Sequence, residues 1–254
     1  GRFLPRRNLT ALGSPMPFVR RLFPTTAKFG QATLEEIFTL DQATALSANT
    51  LASGIFMNDG SGHFTFHELP RLAQVSPVFG IVARDFDGDS FVDILLVQNF
   101  RGAQVEVPPF DGGRGLLLRG HGDGTFESLS SAQSGIDLPE DVRGLAVADL
   151  NGDGWPDAVA SRTSGEAVAF DNRGKTEGCN SSAVKLRGPA GNPHCIGAAI
   201  TVIYRNGARQ RSEIAAGSGY LSQSESLAFF GWRDDNPPGH IEVGGGGPDH
   251  LVAT

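Results

Sequence analysis

The sequence has few cationic side chains and no long apolar run, and these two absences exclude two kinds of partner. Its 21 Lys and Arg residues are outnumbered by 28 Asp and Glu residues, so the net charge is −7. Nucleic-acid-binding proteins carry a basic stripe, whereas the basic clusters here are the pairs Arg6–Arg7 and Arg20–Arg21. No apolar run approaches the roughly 18 residues that span a bilayer. We therefore predict neither nucleic-acid binding nor a membrane span.

Cysteine is also scarce: the two residues are Cys179 and Cys195, in a glycine-rich part of the chain. A disulfide between them would fit an exported protein, whereas two free thiols would fit a cytosolic one. We predict the disulfide, and with it a secreted, periplasmic or cell-surface location. The chain begins with Gly1 and shows no apolar signal segment, so we expect a mature product or a piece of a longer protein.

Glycine, in contrast, is abundant. The 34 Gly residues among 254 predict many turns and therefore many short strands. Hydrophobic residues make up 39% of the chain, which is enough for a folded core. The composition therefore predicts an all-β protein.

An Asp-rich repeat organises the middle of the chain. The nine-residue segment Asp85–Asp93 recurs 64 residues later as Asp149–Asp157. Each copy lies between two short apolar segments that we predict to be strands. These are residues 78–83 and 94–98 around the first copy, and 144–148 and 158–161 around the second.

A second repeat predicts hairpins. Ile55–Phe64 recurs 62 residues later as Leu117–Phe126, and in both copies an apolar strand leads through a glycine-rich turn to Phe. A unit of about 60 residues with four short strands is what a β-propeller blade requires. We predict an incomplete set of blades over residues 1–178, in which the first blade has no Asp loop and is degenerate or truncated.

Two parts of the chain depart from this pattern. Thr33 followed by Glu36 matches a capping box, and the apolar spacing behind it predicts a short inserted helix over residues 33–47. Beyond Cys179, further strand-like segments and the hairpin signal Asn206-Gly207 predict a small β domain over residues 179–254.

The two Asp-rich segments, called here the first and second Asp loops, place oxygen donors on alternate positions. Calcium takes six to eight oxygen ligands, and closely spaced carboxylates repel one another unless a cation lies between them. Neither loop contains the His or Cys that zinc prefers, and magnesium demands a stricter geometry. We therefore predict two calcium sites. The first would use Asp85, Asp87, Asp89, the Phe91 carbonyl and Asp93; the second would use Asp149, Asn151, Asp153, the Trp155 carbonyl and Asp157.

These loops resemble the FG-GAP/VCBS repeats that form the blades of integrin-type β-propellers, and Phe79-Gly80 fits the same pattern. The C-terminal part resembles the ASPIC/UnbV domain in Asn192–Ala199, Ser212–Gln223 and Phe229–Gly231. The resemblance implies a secreted or cell-surface protein with calcium in the Asp loops, and it implies no established reaction. Because such propellers close with about seven blades, it also implies that further chain, or another chain, completes the ring.

The predicted function is a calcium-stabilised module for adhesion, scaffolding or interaction with a protein or glycan. The alternative is a calcium-dependent extracellular hydrolase or lyase acting on polysaccharide. Its candidate acid and base groups would be His63, His67, His121, Glu127 and Glu140. The sequence contains no nucleophile elbow, zinc-protease motif or phosphate loop, so a non-enzymatic role is the first prediction.

Overall fold

A computed structural model describes residues 3–40, 44, 46–103, 107–174 and 176–245, and the backbone of 252–253. Strands make up 36% of the chain and helices 11%, and the strands form small antiparallel sheets, so the predicted all-β class is confirmed. Within the described residues, no helix is long and apolar enough to cross a membrane. The chain divides into two compact units. The helical unit contains the residues up to Leu51 together with Val107, and the β unit contains the rest.

The helical unit occupies the N-terminal part of the region in which the sequence predicts a degenerate or truncated first blade. Its first three helices each begin at a local signal: the Asn8 side chain accepts a hydrogen bond from the Ala11 N–H, the Thr25 hydroxyl accepts one from the Lys28 N–H, and Pro17 occupies a first-turn position. The helices are α1 (Leu9–Gly13), α2 (Pro17–Leu22), α3 (Thr26–Phe29) and α4 (Leu34–Ile37). Their buried core is formed by Val19, Phe29, Ala32 and Ile37.

The predicted helix over residues 33–47 begins where expected but is much too long. The Thr33 N–H donates to the Glu36 carboxylate at 2.9 Å, as a capping box requires. Helix α4 nevertheless ends at Ile37, because Phe38 already has an extended backbone. Phe38 and Thr39 are weak helix formers and do not favour another turn. Residues 41–43 and 45 of the predicted helix lie outside the described residues.

The β unit opens with a hairpin and two blade-like sheets whose strands follow one another in chain order. The hairpin pairs β1 (Gly54–Asn58) with β2 (Phe64–Glu68) and is followed by a 3-10 helix (Arg71–Gln74). The four-stranded sheet contains β3 (Val78–Arg84), β4 (Asp93–Gln98), β5 (Leu116–Gly120) and β6 (Phe126–Ser128), with α5 (Ser131–Ser134) after it. The three-stranded sheet contains β7 (Val142–Ala148), β8 (Asp157–Arg162) and β9 (Val168–Phe170). The predicted strands on both sides of each Asp loop are confirmed.

Two further sheets, called here the C-terminal sheets, follow in the same unit. One has the order β13-β10-β15 and the other β12-β11-β14. Their strands are β10 (Cys179–Arg187), β11 (Ala199–Tyr204), β12 (Arg209–Glu213), β13 (Leu227–Arg233), β14 (Pro238–Gly244) and β15 (Val252–Ala253). The predicted boundary after residue 178 falls between β9 and β10, inside the β unit.

Strand β13 connects the cores of the β unit. Because successive side chains of a strand point to opposite faces, Leu227 and Phe229 pack with Val82, Leu95 and Leu145 of the blade-like sheets. The alternate side chains of β13 pack instead in the core between the C-terminal sheets. That core includes Ala228, Phe230, Ile200, Val202 and Tyr204. The C-terminal sheets are therefore held against the blades by a shared hydrophobic core.

Candidate metal centre

Both Asp loops turn through left-handed backbone at the same two positions. Gly88 and Ser90 have φ values of 77° and 79° in the first loop, and Gly152 and Gly154 have 79° and 85° in the second. Glycine adopts this conformation without strain, whereas a serine pays a cost of the order of 1 kcal/mol. Ser90 is thus the one of these four positions where the surroundings must hold the loop in shape.

The first aspartate of each loop holds that turn. Asp85 accepts hydrogen bonds from the N–H groups of Gly88 at 2.7 Å and Ser90 at 2.9 Å, one on each carboxylate oxygen. Asp149 repeats the arrangement with Gly152 at 2.8 Å and Gly154 at 3.0 Å. A shared pattern of backbone hydrogen bonds therefore underlies the repeat seen in the sequence.

The last aspartate of the first loop ties it to the neighbouring strand. Asp93 accepts from the Phe86 N–H at 2.8 Å and from the Gly120 N–H, at the end of β5, at 2.9 Å. In the second loop, Asp157 accepts from Leu150 at 2.9 Å and from Asn172, just after β9, at 2.8 Å. Position 1 thus holds the turn of each loop, and position 9 fixes the loop to its sheet.

Asn172 also links the two loops. Its side-chain amide donates to the Phe86 carbonyl in the first loop at 2.8 Å, while its backbone N–H donates to Asp157 in the second. The Trp155 ring of the second loop lies beside Gly88 of the first, where a Cβ would meet the ring at 2.8 Å. The two loops are therefore neighbours within the β unit.

Three carboxylates of the first loop converge. Asp85, Asp87 and Asp89 each offer an oxygen within 4.8 Å of the other two, and among the described residues they form a group that could hold a metal ion. Two oxygens that bind one calcium ion at about 2.4 Å can be at most about 5 Å apart. The spacing and the all-oxygen donor set therefore fit a hard cation. In the second loop, Asn151 takes the place of Asp87, and the Asn151 side chain donates to Asp153 at 3.0 Å.

Two of the acidic groups of the first loop are buried, and the other two are partly buried. Asp85 and Asp93 are 1% and 2% exposed. Burial, reinforced by the charge of Asp93, raises the pKa of Asp85 to about 8. Burial also raises the pKa of Asp93 to about 7, and it shifts the pKa of Asp89 upward. Three neighbouring carboxylates are thus costly to ionise together unless a cation accompanies them.

Arg119 is a residue of this site that the sequence analysis missed. It lies on β5, and its Nε donates to the Asp87 carboxylate at 2.9 Å, while a guanidinium nitrogen lies 3.9 Å from Glu127. A calcium ion on Asp87 would have to share or displace this contact. Because 32 residues separate Arg119 from Asp87, no local pattern in the sequence could have connected them.

The predicted disulfide between Cys179 and Cys195 is not formed, and both residues are buried free thiols. Cys179 begins the nine-residue strand β10, whereas Cys195 packs beside Gly188, just beyond the other end of that strand. An extended strand rises about 3.3 Å per residue, so about 30 Å separates the two ends. A disulfide needs Cα atoms within about 7 Å, and the straight strand rules this out.

The candidate acid and base groups lie on different elements. His63 and His121 are exposed in the turns of two hairpins, Glu127 lies on β6, and Glu140 pairs with Arg162 at 3.2 Å. His67 borders an open depression of about 340 Å³ with Phe66 and Phe126. A cavity of about 450 Å³ next to the first Asp loop is lined by Asp87, Arg119 and Asp171, and its described lining includes none of the five candidates.

Models of known families match one segment of the blade-like sheets and one segment of the C-terminal sheets. The model of the FG-GAP-like repeat matches residues 107–160, which contain β5 to β7 and the whole second Asp loop. The model described as ASPIC and UnbV matches residues 188–244, which contain β11 to β14. The chain therefore carries an FG-GAP-like repeat followed by an ASPIC/UnbV segment, as the resemblance in the sequence predicted.

Two curated relatives extend this comparison. The chain is 27% identical over 170 residues to cartilage acidic protein 1 from Homo sapiens, which covers 65% of this chain and 24% of the relative. It is 26% identical over 170 residues to cartilage acidic protein 1 from Mus musculus, covering 65% of this chain and 25% of the relative. The chain thus spans about a quarter of the length of the curated relatives it matches.

Proposed function

We propose that this chain is a calcium-binding interaction module of an extracellular protein, in which calcium is structural. The observation that carries the proposal is the convergence of three carboxylates of the first Asp loop within 4.8 Å. The recurrence of the same hydrogen-bond scheme in the second loop supports a second site. Calcium would bind between the loop aspartates and lock the turns that join β3 to β4 and β7 to β8.

The extracellular assignment rests on the comparisons. An FG-GAP-like repeat and an ASPIC/UnbV segment together point to an extracellular adhesion or interaction module. The two relatives are named for cartilage, a tissue rich in extracellular matrix. In this setting the partner would be a protein or a glycan that binds loops held in place by a rigid sheet frame.

The β1–β2 hairpin supports the proposal that further blades or another chain pack here. Phe56 and Phe64 are 67% and 61% exposed on this hairpin. The hairpin packs Ile55 against the core of the four-stranded sheet, but its own sheet has only two strands, and further strands with an apolar face would stabilise it. We expect these two phenylalanines to be covered in the complete assembly.

The polysaccharide hydrolase or lyase is the weaker proposal. Acid–base catalysis needs groups that reach one substrate atom within hydrogen-bond distance. The candidates instead lie in separate turns and strands, and Glu140 and Glu127 face arginines. The features that repeat in this chain explain structure, and none of them requires a reaction.

Thermal unfolding with calcium and with a chelator tests the proposed function. Calcium at 100 times its dissociation constant adds about 2.7 kcal/mol per site, which raises Tm by about 5–10 °C in a domain of this size. We expect Asp89→Asn and Asp153→Asn each to lose about half of the calcium-dependent rise. Asp235→Asn, at an exposed position outside both loops, should keep all of it. If calcium leaves the Tm of the wild type unchanged, the Asp loops are ordinary turns and the proposal is wrong.

A further inference from the structure

The C-terminal sheets contact the first Asp loop at its buried aspartate, Asp85, and at its turn. Gly231 of β13 faces Asp85 so closely that a Cβ on Gly231 would be 2.1 Å from a carboxylate oxygen of Asp85 and 2.6 Å from the Gly88 Cα. On the neighbouring strand, a Cβ on Gly88 would meet the Asn180 carbonyl of β10 at 2.7 Å. The turn of the loop therefore packs against the paired backbones of β10 and β13.

Hydrogen bonds fix this contact. The Gly231 carbonyl accepts from the Ser90 hydroxyl at 3.2 Å and from the Tyr204 hydroxyl at 2.7 Å. Tyr204 is 3% exposed and belongs to β11. The Ser90 contact matters because Ser90 occupies the left-handed position that the second loop gives to Gly154. The C-terminal sheets thus add a hydrogen bond to this strained serine beyond the one that its N–H donates to Asp85 in its own loop.

The second Asp loop has the same local sequence pattern but a different environment. Gly152, which corresponds to Gly88, has open space where a Cβ would point, and Asn151 and Asp153 are exposed. Among the described residues, its contacts with the C-terminal sheets include a hydrogen bond from the Ser181 hydroxyl to the Gly154 carbonyl at 2.9 Å and packing around Gly154. The two loops therefore differ in packing as well as in the residues at positions such as Asn151 and Gly154.

We propose that the C-terminal sheets are part of the first metal site, with Gly231 and Tyr204 as positioning residues for Asp85 and Ser90. This inference rests on the proposed calcium binding. It adds that an ion in the first loop and docking of the C-terminal sheets stabilise each other, as linkage between two binding events requires. The second loop binds its ion without this coupling. Neither residue is a ligand; each acts through the shape of the loop.

Calcium titration in two backgrounds tests the proposal. Asp153→Asn disables the second loop, so that calorimetry measures calcium binding to the first loop. Asp89→Asn disables the first loop, so that the second is measured. We expect Gly231→Ala to weaken calcium binding to the first loop by at least about ten-fold, within the usual range of coupling between sites. Its effect on the second loop should stay within about two-fold. Gly244→Ala is the matched control, because Gly244 also lies in a strand of these sheets but has no atom within 4 Å of its Cβ position.

A second measurement keeps the test informative if Gly231→Ala does not fold. In the wild-type chain, calcium should slow amide hydrogen exchange in β13, residues 227–233. Asp89→Asn should abolish that protection and Asp153→Asn should leave it in place. Tyr204→Phe, which removes only the hydroxyl, should weaken the first site several-fold and spare the second.

The outcomes separate this inference from the proposed function. If the wild type binds no calcium, the proposed function is wrong, and the inference is wrong as well because it depends on calcium binding. If two calcium ions bind, but Gly231→Ala and Tyr204→Phe leave the first site unchanged, the coupling alone is wrong. Equal weakening of both sites, or protection of β13 that survives Asp89→Asn, would also overturn it.

Discussion

Within each Asp loop, the aspartates divide between two tasks. Asp85 and Asp93 accept backbone N–H groups on both oxygens, so they shape the loop before any ion arrives. Asp87 and Asp89 each accept one hydrogen bond from the loop backbone, and Asp87 is paired with Arg119. A carboxylate oxygen has more than one lone pair, so positions 1 and 9 can hold the turn and still contact an ion. The loop is thereby preorganised for calcium.

Arg119→Gln should strengthen calcium binding at the first loop. The guanidinium competes with calcium for Asp87 and, once displaced, still repels the ion across a short distance. Because Arg119 is partly exposed, we expect a gain of at most about five-fold in affinity, in line with the small worth of solvent-screened ion pairs. Calorimetry in the Asp153→Asn background measures it. A loss of affinity would show instead that Arg119 holds Asp87 in its binding geometry.

Asp141 predicts a separate dependence on pH, away from the Asp loops. It is 6% exposed, and its carboxylate accepts hydrogen bonds from Arg143, from the Arg101 N–H and from the Thr163 hydroxyl. The hydrogen bond from Arg143 is the main reason that the pKa of Asp141 lies below its ordinary value. A lowered folded-state pKa stabilises the fold above the unfolded value of about 3.9, and that stability is lost as the pH falls further.

Asp141→Asn should therefore cost about 1–3 kcal/mol near neutral pH, the usual cost of weakening a buried charged hydrogen-bond group. The difference from the wild type should shrink below about pH 4, where the carboxylate of the unfolded chain becomes neutral, and should be lost once the pH falls below the lowered pKa of the folded state. Urea unfolding at pH 7 and at acidic pH measures both quantities. A difference that is the same at both pH values would mean that the charge of Asp141 contributes nothing.

At the scale of elements, the strands and loops were predictable because their signals are local. The alternation of apolar residues, a glycine turn and a single Asp loop each extend over about ten residues or fewer. The strands beside Asp85–Asp93 and Asp149–Asp157 begin and end within two residues of the prediction. The N-terminal helices were missed although Asn8, Pro17 and Thr25 are ordinary start signals. Each helix has only four to six residues, too few for a helical period to show.

Contacts between distant elements could not be read from the sequence. Gly231 offered one signal, a glycine inside an apolar strand, which often marks a close backbone approach. Nothing in the sequence indicated that Asp85 is what approaches, because 146 positions separate the two residues. The disulfide prediction failed for a related reason: spacing in the sequence does not report that a straight strand separates the two cysteines.

The length of β10 predicts the chemistry of Cys179 and Cys195. Both thiols are buried, and burial also raises the pKa of Cys179, which lowers its thiolate fraction at neutral pH. We expect little alkylation in the native state. After unfolding without a reducing agent, intact mass should show two alkyl groups added. A mass two hydrogens below that of the reduced chain, with no alkylation until a reductant is added, would show that the disulfide is formed after all.

At the scale of the whole molecule, strand β13 joins the blade-like sheets and the C-terminal sheets within the β unit, because it contributes side chains to two hydrophobic cores. Phe229 of β13 packs with Leu95 and Leu145 of the two blade-like sheets, while Phe230 beside it packs in the core of the C-terminal sheets. An element that belongs to both cores cannot leave one without disturbing the other. The β unit should therefore unfold cooperatively, despite the family boundary that runs through it.

The two tryptophans of the chain allow this cooperativity to be measured. Trp155 lies in the second Asp loop and Trp232 on β13, so Trp232→Phe leaves a probe in the blades and Trp155→Phe leaves one in the C-terminal sheets. Coincident transitions from different probes are the test of two-state unfolding. We expect one urea midpoint from both probes. Phe229→Ala should lower the free energy of unfolding by about 3–5 kcal/mol as reported by each of the two probes. Phe64→Ala, at an exposed position, should lower it by about 0.5 kcal/mol or less. If Phe229→Ala moves the Trp232 transition alone, the C-terminal sheets fold as a separate domain, and the boundary after residue 178 is a boundary of stability as well as of sequence.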